Sequence, residues 1–166
     1  VEECGNMLVM EANVAIATGN ADFAAKHITL LEKWCHYLIK YGADPGHQLC
    51  TDDFAGHLAH NCNLSLKAIM GIMGMSILYG MLGNEDEADK YKKIAKEKAD
   101  SWCQRAKNPD GSYKLAFDKD VQREGRIAFH PCDNTASTVI SNADLMKYLE
   151  IWGGEYEWID VDNPEL

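Results

Sequence analysis

The stretch LSLKAIMGIMGMSILYGML, Leu64 to Leu82, carries one charge, Lys67, in nineteen residues. A helix that is apolar on every side must be enclosed, either by lipid or by other helices. Its length would suffice for a bilayer. Against that, Ser65, Lys67, Ser76 and three glycines interrupt it, and no aromatic or basic belt flanks it. The expectation is therefore an inner helix surrounded by protein, over about Asn63 to Leu82, and no membrane span. Gly71 and Gly74 would let a neighbouring backbone come close, at some cost in helix propensity.

An enclosed helix needs enclosing partners, and the flanking sequence supplies them. From about Glu3 to Thr18, Met7, Met10, Val14 and Ala17 recur at helical spacing until Gly19-Asn20 ends the run. A second helix is expected with Asn20 as N-cap and Asp22 in its first turn. Its apolar stripe is Phe23, Ile28, Leu31, Trp34, Leu38 and Tyr41, and Gly42 with Asp44-Pro45-Gly46 stops it. After the apolar helix comes a charged one, capped by Asn84 with Glu87 three residues on. Asp86–Lys90, Asp89–Lys93 and Lys93–Glu97 are spaced for ion pairs along it, and Ala88, Tyr91, Ala95, Ala99 and Trp102 form a narrow apolar stripe.

These helices repeat. Twice an apolar helix runs into Gly-Asn, at 19–20 and 83–84, and twice an amphipathic helix follows that carries Trp-Cys near its end, at 34–35 and 102–103. Two hairpins, each with a buried inner and a solvated outer helix, are the construction of an α/α toroid. The fold class expected is all-α: antiparallel helical hairpins, part of such a toroid or of a solenoid, with any ring left incomplete. Two hairpins cannot close such a ring, so an open inner face is left that favours self-association or a partner chain. Only GSYKLAF, after the NPDG turn, alternates like a strand, and a short hairpin or extended arm is expected there. The helical segment is placed at 1–118. Residues 119–166 form a more polar segment with one expected helix, about Asn142 to Trp152, and an acidic tail.

Composition narrows the functional classes. A formal charge of −10, with the lysine-rich KYKKIAKEK interleaved with acids, argues against nucleic acid as a partner. The six cysteines, at 4, 35, 50, 62, 103 and 132, have wide, irregular spacings and no CxxC, which reads as buried free thiols rather than a disulfide framework. The opening VEECGNML has no initiator Met or signal features and is expected to be the interior of a longer protein. No P-loop, GxGxxG, GxSxG or SxxK motif occurs, and no cofactor is expected.

The polar stretch CTDDFAGHLAHNCN, Cys50 to Asn63, holds the chemistry-bearing residues. In a toroid the loop into an inner helix faces the central cavity, where Asp52 and Asp53 would act as general base, general acid or cation ligands. Helix capping by Thr51 or Asp52 explains the same residues without chemistry. Glu2 and Glu3 precede the other inner helix at the equivalent position, so four carboxylates are expected to line one cavity. One would activate water and another protonate a leaving group; the alternative is that Glu2 and Glu3 only complement the helix dipole. His57 would contact substrate or shuttle a proton. His57, His60 and Cys62 lack further ligands at matching spacing, so no metal is expected.

The words VEECGNM, KYGADPGHQLCTDDFAGHLAHNCNLSLKAIMGI and LGNEDEADKY together resemble the glutaminase A family, known from fungi and from gut Bacteroides-type bacteria. The resemblance spans roughly Val1 to Asp118. It implies a six-hairpin-like helical domain, similar to the (α/α)6 toroids of many glycoside hydrolases, within a larger, exported protein, bacterial by expectation, and hydrolysis of the glutamine amide. On this reading Asp52, Asp53, Glu2 and Glu3 are the catalytic candidates, and Thr51, Asn6 and His57 the substrate contacts. The substrate is a small molecule, glutamine or a glycan, because amide hydrolases commonly use an activated Ser, Thr or Cys whereas paired acids in a toroid are glycosidase equipment. A helical binding or scaffold module without activity of its own is the third reading.

Overall fold

In the computed structural model, described for residues 1–47, 59–109 and 111–118, the chain forms four helices: α1 (Glu2–Thr18), α2 (Asp22–Tyr41), α3 (Cys62–Met81) and α4 (Glu85–Ala106). All of these residues lie within one unit, Val1–Arg123. No strand occurs among the described residues, and the fold class is all-α. The helix expected near Asn142 to Trp152 lies outside the described residues.

α3 is enclosed, as its composition demands. It starts at Asn61, whose Oδ1 accepts from the backbone N–H groups of Asn63 at 2.8 Å and Leu64 at 3.1 Å, satisfying two of the donors that a helix start leaves open. From there almost every residue to Tyr79 is buried. Among the described helices α3 is the one long and apolar enough to cross a membrane, and its apolar surface is spent on its neighbours.

The neighbours are α1, α2 and α4. α1 meets α3 through missing side chains. A Cβ on Gly5 would stand 2.8 Å from the Lys67 carbonyl oxygen, and one on Gly74 would stand 3.0 Å from that of Leu8. Gly71 faces both the Gly5 Cα and Leu38 of α2. The order of these contacts, 5 against 67 and 71, then 8 and 12 against 74, makes the inner helices α1 and α3 parallel. α2 and α4 return antiparallel to them, which is the expected hairpin pair. Gly71 and Gly74 thus have the role foreseen for them; Gly5 is equally close.

Two helix faces and one cap differ from expectation. The line Met7, Met10, Val14 on α1 is 40%, 54% and 54% exposed. The face turned to α3 is instead Gly5, Leu8, Val9, Ala12 and Ala15, because close approach selects small residues over large ones. On α2, Phe23 and Tyr41 are exposed, while Ala24, Leu31, Cys35 and Leu38 are buried. Asn20 does not itself cap α2: Ala21 is the N-cap, and the Asn20 side chain accepts from Asp22 N–H at 2.6 Å and donates to its carboxylate at 3.1 Å. On α4, Asn84 caps by accepting from Glu87 N–H at 3.3 Å, and Lys90 bonds to Glu87, three residues away, at 2.6 Å. Gly19, at φ 64°, ends α1 in the left-handed region that glycine enters without strain.

After α4 the chain makes the expected short hairpin. Lys107 pairs antiparallel with Tyr113, and Asn108 N–H donates to the Ser112 carbonyl at 2.7 Å. The arm then pairs Ala116 antiparallel with Asn61, so Cys62 N–H donates to Leu115 and Phe117 N–H to His60, each at 2.9 Å. The start of α3 is thereby fixed from outside as well as by its cap. The four described cysteines are free thiols; Cys35 and Cys62 are buried as expected, whereas Cys103 is exposed.

Candidate functional site

Because α1 and α3 are parallel, both begin at the same end of the hairpins. Glu2, at the first position of α1, is 4% exposed, and its Oε1 accepts from Lys67 Nζ on the second turn of α3. The one charge of the apolar helix is explained by this bond: a buried ammonium needs a buried acceptor. Glu3, one residue on, is exposed, and Asn6 is half-buried beside it. The two carboxylates therefore have different surroundings, one held in an ion pair between the inner helices and one in solvent.

Thr51, Asp52, Asp53 and His57 lie outside the described residues. The two stems of the segment that carries them are described. On the outgoing side the Ala43 carbonyl accepts from Ser65 Oγ at 3.2 Å and from Arg105 Nη2 at 2.6 Å. On the returning side His60 N–H donates to the Pro45 carbonyl at 2.7 Å, and His60 Nδ1 stands 2.9 Å from Asp44 Oδ1. His60 adopts φ 61°, the left-handed region, which turns the chain sharply into Asn61 and α3. Hydrogen bonding to Asp44 and its charge raise the His60 pKa above the ordinary histidine value, with Asp118 adding a smaller push. The ends of the segment are thus tied to each other and to α3 and α4, next to the start of α1.

His60 spends Nδ1 on Asp44, and burial pushes the Cys62 thiol up to about 12, which keeps it protonated. Among the described residues no group of three His, Cys, Asp or Glu side chains stands close enough to hold a metal ion. Cys35 is held up to about 12 by burial in the same way, so neither thiol is an activated nucleophile.

Sequence reasoning missed Lys67, Asp44 and Arg105 here. Lys67 carried a usable signal, since a lone charge inside an apolar helix implies a buried partner. Asp44 read as part of a helix stop, and Arg105 drew no reading of its own. Neither has a local pattern that reveals a partner across the fold.

Comparison with known proteins gives one consistent result and one outlier. The family model for the glutaminase A six helical-hairpin domain matches residues 1–123. Glutaminase A of Aspergillus oryzae is 39% identical over 102 residues, covering 61% of this chain and 15% of that protein. A probable glutaminase of Arthroderma benhamiae is 37% identical over 94 residues, covering 56% and 11% respectively. The chain therefore spans a small part of these fungal relatives. The prolyl-tRNA editing protein ProX of Acetoanaerobium sticklandii is 29% identical over 98 residues, covering 59% of this chain and 58% of that protein. No solved structure matches the chain.

Proposed function

The chain belongs to the glutaminase A six helical-hairpin family, and from that premise we propose that it is part of a hydrolase of the L-glutamine side-chain amide. The observation that carries the reading is the parallel course of α1 and α3, by which the segment bearing Asp52 and Asp53 has its stems at the end where Glu2 and Glu3 begin α1. In this reading Asp52 or Asp53 takes a proton from water as its oxygen attacks the amide carbon. The other carboxyl group gives a proton to the departing nitrogen, so the C–N bond breaks to glutamate and ammonia. Glu3 and Asn6 contact substrate from α1, together with Thr51 and His57. Glu2, bonded to Lys67, orients the start of α1 better than it transfers protons.

Ammonia release from L-glutamine, by this chain and by the full-length parent, tests the proposal. The parent is expected to be active and its Asp53→Asn variant about 100-fold slower or worse, in line with loss of a general base. A parent that releases reducing sugar from glycans and no ammonia would move the assignment to a carbohydrate-active hydrolase.

The exposed Met7, Met10 and Val14 line supports a further part of the proposal: α1 is covered by more of the ring in the parent, or by a second copy when this piece stands alone. Residues 1–118 would then be the hairpin segment and 119–166 a separate one, with export belonging to the parent. The ProX relative raises tRNA as a partner, against which the charge of −10 argues.

A further inference from the structure

The two outer helices enclose a groove that shares Ala43 and Arg105 with the stem of the candidate site. It has a volume of about 350 Å³ and runs between the C-terminal end of α2 and the facing side of α4. Lys98, Ser101 and Arg105 follow one another along α4 at spacings of three and four, so they line one face. Lys98 Nζ donates to the Ile39 carbonyl at 2.9 Å and Arg105 Nη2 to the Ala43 carbonyl at 2.6 Å. Capping the last carbonyls of α2 explains why cations stand here. It leaves two cations on a lining that offers one acid, Glu97.

The ion pairs among the described residues are Lys67–Glu2, Lys90–Glu87 and His60–Asp44, and none includes Lys98 or Arg105. Arg105 Nε is buried without a hydrogen-bond partner, and its guanidinium lies over the Phe117 ring, 4.0 Å from the ring centre, which fixes its plane. Burial and then the charge of Arg105 lower the Lys98 pKa, the behaviour of a cation whose near neighbour is another cation. An ammonium has three donors and a guanidinium five, so each retains donors after its carbonyl bond.

We propose that this groove binds a small organic carboxylate, its head held by Lys98, Ser101 and Arg105 and its chain lying on Ile39 and Ile94. The apolar end formed by the two isoleucines favours a ligand with a hydrocarbon arm over a bare anion. Glu97, on the groove's lining, disfavours a doubly charged phosphate more than a singly charged carboxylate.

Amide NMR titration of the full chain with sodium hexanoate, sodium phosphate or sodium chloride at matched ionic strength is the test. Hexanoate is expected to give saturable shifts at Ser101 and Arg105 that chloride does not. Lys98→Gln is expected to weaken binding about tenfold to a hundredfold, the usual worth of one charge-assisted hydrogen bond. Ser101→Ala, at an exposed position that does not support the fold, is expected to weaken it about twofold to fivefold. Overturning results are no saturation with hexanoate, saturation with phosphate alone, or binding unchanged in both variants.

Discussion

Two ion pairs stand at the end where the inner helices begin, and they differ in almost every physical respect. Lys67–Glu2 is buried in the seam between α1 and α3, both side chains at or below a tenth of their free exposure. His60–Asp44 ties the stems of the segment that carries Asp52 and Asp53, with each side chain roughly half exposed. A buried pair is costly to form and costlier to break, because removal of one partner strands a charge in low dielectric. An exposed pair is screened by water and contributes little on its own. The inner seam therefore depends on its ion pair for integrity, while the stem depends on it for a setting that pH can change.

The largest effect expected from breaking this contrast is in the seam. Lys67→Met should cost about 3–5 kcal/mol, the usual range for stranding one member of a buried pair. The double variant with Glu2→Gln should return most of that loss, since Gln carries no charge to strand. Chemical denaturation of the three proteins measures both, and a single variant as stable as the parent chain would mean that α1 is not seated on Lys67.

A smaller effect sharpens the picture of the seam without touching a charge. Gly5→Ala places a methyl 2.8 Å from the Lys67 carbonyl oxygen, which is backbone and cannot swing aside. Separation of α1 from α3 should cost about 1–3 kcal/mol, as overpacking does elsewhere. Gly19→Ala, with open space around it, is the control: it adds left-handed strain but no clash. Equal losses in the two would argue that backbone freedom, rather than close approach, selects glycine at position 5.

The smallest effect is at the stem, and its sign follows from the direction of the His60 shift. The folded pKa lies above the ordinary 6.5 because Asp44, and to a lesser degree Asp118, favour the imidazolium. The pair's contribution is therefore fully present below the unfolded pKa and lost as pH rises through the folded one. The Tm difference between the natural chain and Asp44→Asn should be measurable near about pH 5 and vanish near about pH 9. A difference that persists unchanged in alkali would show that Asp44 acts by its neutral hydrogen-bonding shape alone.

The extent to which the site was legible follows the range of each interaction. The Asn84 cap joins residues three apart, and it was visible in the chain's own spacing. Glu2 and Lys67 lie 65 residues apart, and only their types hinted at a bond. The apolar stripe of α1 was misassigned for an instructive reason. Periodicity finds a line of large apolar residues, but α1 packs on α3 by its small ones, and the large line stays exposed.

By itself the sequence determined what depends on neighbours along the chain: four helices and their pairing into two hairpins, the Asn84 cap, the glycine stop of α1, and the family that this arrangement represents. Tertiary structure decided which face of each helix is buried, which carboxylate is paired and which is free for solvent, and where Lys98 and Arg105 come together. Local hydrogen bonds and helical periodicity act over a few residues and leave a readable pattern. Burial and charge pairing depend on which surfaces meet, and the meeting of α1 with α3 is settled by missing side chains at Gly5, Gly71 and Gly74.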